Sequence, residues 1–299
     1  MNDMNRKINK NLAALIADNT SGSAAIRERL AGLFKEILLD ESYSNSEAAS
    51  MLRDAAERAF KSHQSMAAIY HLNKFVENQL KNKTKKADLK SSMLRELGAY
   101  CSKIRADENK LFKNGAKIIK DKMVILTYSY STAVLQILKI ASSQEKNFSV
   151  ICPESRPAFE GVRFAEEIAR QKIKTKLIVD AAIYGAIKSC DMILLGADTV
   201  TMDGIINKTG TEWIASSAKG LKKPAYSAFT SEKLLPLPYS KKIKILNKPP
   251  HEVYKGKIKL IEVENRYFDI TPISEFSGFI TERGAMTAKE INNILRELK

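Results

Sequence analysis

Disulfide frameworks, zinc motifs, membrane spans and the common nucleotide fingerprints are all missing from this sequence. Its three cysteines, Cys101, Cys152 and Cys190, are an odd number without close spacing. That excludes a disulfide scaffold and points to a reducing compartment. Three scattered histidines (His63, His71, His251) and no Cys-x-x-Cys pair leave no metal-ligand signature, so no metal is expected. No run approaches the roughly 18 apolar residues of a membrane helix. The opening MNDMNRKINK is polar and of mixed charge, with an apolar run after it too short and broken for a secretory signal. A cytoplasmic protein without membrane contact is expected. Neither GxGxxG nor GxxxxGK[ST] occurs, and no cofactor is predicted. Between residues 1 and 112 there is no proline and only Gly22, Gly32 and Gly98, so little interrupts a helix there.

What is present begins with charge. Lys and Arg number 49 against 34 Asp and Glu, a formal net charge of +15. Such a balance suits nucleic acid, anionic small molecules or acidic partners, and by itself chooses none of them. The densest basic runs are KNKTKK (81–86) and KKIKILNK (241–248). No interleaved aromatic platform of the single-strand-binding type accompanies them, so RNA is a low-ranked partner. With 44% hydrophobic and 28% charged residues, the 299-residue chain is globular, with room for one large or two ordinary domains.

The apolar spacing divides the chain. Ile26, Leu30, Leu33 and Ile37 recur at helical intervals. Ser44-Asn45-Ser46-Glu47 offers a capping box for a helix to about residue 62. Ile69, Leu72, Phe75 and Val76 mark another helix, and Leu89, Met93, Leu97, Tyr100 and Ile104 a long one. After Asn114-Gly115 the pattern changes. MVILTYS (123–129), FSVICPE (148–154), TKLIVDA (175–181), MILLGAD (192–198) and PAYSAF (224–229) alternate with helical stretches. Such runs predict strands of a parallel sheet buried on both faces. The closing FITERGAMTAKEINNILREL reads as a strand, a Gly284 turn and a helix from near Thr287. The predicted fold is α/β: an N-terminal helical domain (1–114), then a doubly wound, Rossmann-like, mainly parallel sheet domain (115–299).

Polar clusters should converge at the strand ends: Thr127 to Ser131, Glu154 to Arg156, Asp180, and Gly196 to Asp198. A fifth, Asn207-Lys208-Thr209-Gly210-Thr211, precedes a helix, where free amides and the helix dipole favour an anion. This chemistry describes a pocket for a phosphate-bearing small molecule.

The stretch GADTVTMDGIINKTGT (196–211) resembles a signature of the translation initiation factor 2B alpha/beta/delta family, shared with methylthioribose-1-phosphate and ribose-1,5-bisphosphate isomerases. LTYSYSTAVLQIL (126–138), ESRPAFEG (154–161), LIVDAAI (177–183) and FDITP with FITERG (268–284) resemble further family segments in the same order. DNTSGSAAI (18–26) is a weaker match. For the isomerases the resemblance implies a cysteine and an aspartate that move the proton as an aldose phosphate becomes a ketose phosphate. Asp198 matches the aspartate, a candidate acid if the chain is an isomerase, and Ser129 stands at the cysteine's position. Arg156, Asn207, Lys208 and Lys233 match ligand-binding positions. Gly22 and Ser23 fall where an isomerase substrate loop would lie.

A thiol is readily tuned to deprotonate near neutral pH, whereas a serine hydroxyl needs an adjacent base. The segment around Ser129 offers only Tyr128 and Tyr130. The resemblance therefore implies a non-catalytic regulatory subunit that binds a sugar phosphate or nucleotide monophosphate. Its partners would be a second copy or homologous subunits, with translation initiation factor 2 beyond them, and the α/β domain would dimerise. The alternative is a sugar-phosphate isomerase, and the second alternative an RNA-binding protein.

Overall fold

The computed structural model describes residues 3–18, 20–83, 88–240, 243–256 and 258–298. The second half of the 81–86 basic run and the first two residues of the 241–248 run lie outside them. The chain divides into two compact units, Met1–Ala106 and Asp107–Lys299.

The first unit holds α1 (Asp3–Ala17), α2 (Ser23–Leu39), α3 (Asn45–Ser62), α4 (Ala67–Lys83) and the start of α5 (Leu89–Ile118). Helix α2 touches α1, α3 and α4. Its predicted stripe, Ile26, Leu30, Leu33 and Ile37, is buried together with Phe34. Each such side chain gains about 1.5–3 kcal/mol by leaving water. The capping box forms: the Glu47 amide donates to Ser44 Oγ, and the Ser44 amide to Glu47 Oε2 at 2.8 Å.

The second unit runs β1 (Val124–Leu126), α6 (Thr132–Ser143), β2 (Ser149–Pro153), α7 (Glu160–Arg170), β3 (Lys174–Ile178), α8 (Ile183–Ser189), β4 (Met192–Leu195), β5 (Thr199–Thr201), β6 (Gly204–Lys208), α9 (Thr211–Gly220), β7 (Ala225–Ala228), α10 (Leu237–Ser240), β8 (Phe268–Thr271), β9 (Gly278–Thr281), β10 (Gly284–Met286) and α11 (Ala288–Glu297). Helix α5 continues through Gly115, where the sequence pattern suggested a break. A side chain at 115 would overlap Ile137 of α6, so this glycine serves close helix packing and does not stop the helix.

The main sheet has the order β10-β9-β7-β4-β1-β2-β3, parallel throughout except for the β9–β10 pair. Successive strand residues alternate between two cores. Ile125, Val150, Cys152 and Leu194 enter one; Leu126, Ile151, Ile193 and Leu195 enter the other. That is why the inner strands are apolar at nearly every position; β3, expected to be buried on both faces, instead lies at the sheet edge as Lys174–Ile178 and is largely exposed, because only β2 pairs with it. The chain proceeds outward from β1 through β2 to β3, then returns to β1's other side at β4. The switch point therefore lies between the carboxyl ends of β1 and β4, where open α/β sheets bind ligands. A second sheet, β5-β6-β8, is antiparallel and was not foreseen. Among the described residues no helix is long and apolar enough to cross a membrane.

Candidate functional site

Residues following β1, β2 and β3 tie the strand-end loops together. Ser129 and Ser155 both adopt left-handed backbone (φ 62° and 61°), a conformation that non-glycine residues rarely take without support from their surroundings. The support is visible. The Ser129 amide donates to Ser155 Oγ at 2.9 Å, and the Ser155 and Arg156 amides donate to the two Asp180 carboxylate oxygens at 2.8 and 2.7 Å. On the other side of the switch point, Gly196 leaves room for Ser131: a Cβ at 196 would sit 2.5 Å from Ser131 Oγ.

Glu160, the first residue of α7, lies at the centre of this arrangement. Ser129 Oγ donates to Glu160 Oε1 at 3.1 Å, and Lys208 Nζ lies 2.6 Å from the same oxygen. Lys208 and Glu160 are both buried. The pair is close, yet its angles are not those of an aligned hydrogen bond, and Glu160 Oε2 is buried without a hydrogen-bond partner among the described residues. Lys208 Nζ also lies 4.9 Å from the centre of the Tyr267 ring. The Tyr267 hydroxyl donates to Glu252 Oε2 at 2.5 Å, and the guanidinium of Arg156 reaches the Glu252 carbonyl at 3.4 Å. Ser129, Glu160, Lys208, Tyr267, Glu252 and Arg156 thus form one connected chain of contacts. Sequence reasoning assigned no role to Glu160, Tyr267 or Glu252; Glu160 stood unremarked inside the ESRPAFEG segment.

The tyrosines beside Ser129 are poor bases. Burial raises the Tyr128 pKa, with the Asp180 and Glu160 charges adding to it, and burial pushes Tyr130 up to about 12. Both stay protonated near neutrality. Tyr128 donates its hydroxyl to the Thr209 carbonyl at 2.8 Å, and Tyr130 packs edge-on against Phe164. Cys152 belongs to the core, its thiol pushed up to about 12 by burial.

The start of α9, offered by the sequence to an external anion, already holds one. Asp269 of β8 sits across from Asn207 in register, and its Oδ2 accepts the Gly210 amide at 2.6 Å and the Glu212 amide at 3.3 Å. Burial raises the Asp269 pKa to about 6, against the opposing backbone hydrogen bonds. Asn207 is buried and donates through Nδ2 to Thr211 Oγ1 at 3.0 Å.

Asp198 is half-buried in the β4–β5 connection, and its amide donates to the carbonyl of Ile206, two residues before Lys208. Lys233 is buried in a short turn after β7; the next residue, Leu234, bridges to Val200 of β5. Gly22 and Ser23 lie in the N-terminal unit, where Gly22 precedes α2 and Ser23 is buried. Asp18 orders that loop by accepting the Thr20 and Ser21 amides, each at 2.9 Å. Among the described residues no group of three or more His, Cys, Asp or Glu side chains is placed to hold a metal ion.

A doubly wound sheet with polar loops gathered at its switch point, and a small antiparallel sheet beside it, defines a Rossmann-like α/β protein class. The chain belongs to the Initiation factor 2 subunit family, whose sequence model matches residues 19–288. It is 31% identical over 269 residues to ribose 1,5-bisphosphate isomerase of Methanocaldococcus jannaschii, covering 88% of this chain and 86% of that one. A solved translation initiation factor eIF-2B of Pyrococcus horikoshii OT3 superposes with a TM-score of 0.80 at 26% identity, covering 94% and 96% of the two chains. The fold is also that of the tetrameric eIF2B-beta2-delta2 complex from C. thermophilum, with a TM-score of 0.69, 16% identity and 98% and 94% coverage. That neighbour is itself a tetramer of beta and delta subunits.

Proposed function

We propose that the chain is a non-catalytic subunit of the initiation factor 2B type, which keeps a pocket for a phosphorylated small molecule and works by assembling with copies of itself or with homologous subunits. The observation that carries this reading is Ser129. Where the resemblance sets the isomerases' thiol, the chain has a hydroxyl donated to a carboxylate that Lys208 already neutralises. The flanking tyrosines stay protonated, so neither is free to take up the proton of that hydroxyl. Ligand capacity remains, because Lys208 Nζ makes no aligned hydrogen bond among the described residues, and the Arg156 guanidinium, stacked 4.8 Å from the centre of the Phe159 ring, donates only a long 3.4 Å hydrogen bond to a carbonyl.

Titration calorimetry with sugar phosphates and nucleoside monophosphates tests the pocket, and mass spectrometry of proteins that co-purify with the chain tests assembly. Arg156→Gln should weaken ligand binding by about tenfold, the loss of one charge-assisted contact. Absence of any phosphorylated ligand together with a strictly monomeric chain would sink the proposal.

A second reading, sugar-phosphate isomerase, is favoured by one feature. Glu160 is a carboxylate within hydrogen-bond distance of Ser129 Oγ, the adjacent base that a serine requires. It predicts turnover that Glu160→Gln abolishes.

A further inference from the structure

We propose that the groove between α2 and α5 in the N-terminal unit binds a small amphipathic anion, a ligand with an apolar body and a phosphate-like group. Three observations meet there. The first is volume: the groove encloses about 460 Å³, within the range of small-molecule sites. The second is charge. Arg27, Lys35 and Arg105 line the groove against a single acidic residue, Glu28. Arg27 is only 4% exposed, its Nη2 3.6 Å from Glu28 Oε1, so a guanidinium has been drawn to a nearly dry wall. Ala31, Leu94 and Leu97 supply apolar lining beside it.

The third observation is the pair of glycines. Gly32 of α2 and Gly98 of α5 both line the groove, in helix interiors where glycine is less stable than alanine. At Gly115 a neighbour, Ile137, presses on the backbone, whereas Gly185 of α8 has open space without lining this groove. A Cβ built at Gly32 or Gly98 likewise meets no atom within 4 Å. The space those side chains would take is the interior of the groove itself. The two glycines therefore leave open a slot that no described residue fills. An apolar body lies along the exposed helix backbones there, and its anionic end faces the basic rim. This site is separate from the strand-end loops and does not rest on the function proposed for them.

Cys101 provides the reporter. It lines the groove and is partly exposed, whereas Cys152 and Cys190 are buried. The probe is 1-naphthyl phosphate added to the full chain, with 1-naphthol and inorganic phosphate as its two halves. Naphthyl phosphate should slow alkylation of Cys101 by N-ethylmaleimide by about fivefold or more, and each half alone by less than about twofold. Arg105→Gln should shift the protecting concentration upward by about tenfold. Gly98→Leu should abolish protection, measured against its own unprotected rate, without lowering Tm. Naphthyl fluorescence with the unaltered chain supplies a parallel titration should a variant unfold. The proposal is overturned if no protection occurs, if inorganic phosphate protects as well as the full probe, or if Gly98→Leu is protected like the parent. It is also overturned if Cys101 becomes less reactive with rising protein concentration and no probe, which would assign the groove to a second copy.

Discussion

Replacing Asp269 with asparagine should change how stability depends on pH, and the size of the change follows from the site. The Asp269 pKa rises from 3.8 to about 6, chiefly through burial. Its Oδ2 is well served by the first amides of α9, while Oδ1 is buried without a hydrogen-bond partner among the described residues. A raised carboxyl pKa means that the folded state holds the proton more tightly than the unfolded state. Its contribution to stability is fully present below the unfolded value and is lost as pH rises through about 6. The whole shift corresponds to about 3 kcal/mol, at about 1.4 kcal/mol per pKa unit. About 2 kcal/mol of that falls between about pH 4.5 and 7.5. An asparagine can still accept the Gly210 and Glu212 amides through its carbonyl but does not titrate. Urea denaturation of both proteins across that range should show the parent losing about 2 kcal/mol relative to Asp269→Asn as pH rises. A difference that stays constant within about 0.5 kcal/mol would refute the claim that burial dominates at this carboxylate.

The buried Lys208–Glu160 pair makes a second prediction. Lys208→Met strands the Glu160 charge and should cost about 3–5 kcal/mol, whereas Glu160→Gln combined with Lys208→Met should recover most of it, read by urea denaturation. Equal losses in the single and double variants would contradict the pairing. Thiol counting gives a third: in the native protein a maleimide should modify Cys101 alone, with Cys152 and Cys190 reacting only after denaturation, because both are buried and burial raises both thiol pKa values. Native modification of Cys152 would place it outside the core.

The parts of the fold legible in the sequence were those with a strong period. Runs such as FSVICPE and MILLGAD became β2 and β4 because a parallel strand covered on both faces needs apolar residues at consecutive positions. Thr287 caps α11 through a full capping box, close to where the helix was expected to begin. The antiparallel β5-β6-β8 sheet escaped notice because its strands are short and polar-flanked. Its one local signal was Asp203-Gly204 at the hairpin between β5 and β6, with Gly204 at φ 146°. The site was legible in residue types and not in pairings. Asn207 and Lys208 are adjacent in sequence, yet strand alternation sends one toward Thr211 and the α9 start and the other toward Glu160. No local pattern could show that Asp269, 59 residues beyond Gly210, would take the helix amides for itself.

The central claim is that the pocket persists while proton transfer at Ser129 has been lost. Phosphorus NMR of the purified chain with ribose 1,5-bisphosphate and with methylthioribose 1-phosphate tests it most directly, with calorimetry on the same samples. The account predicts a measurable heat of binding for a phosphorylated ligand and no product resonance beyond the protein-free control. Conversion of either compound that disappears in Asp198→Asn would contradict it.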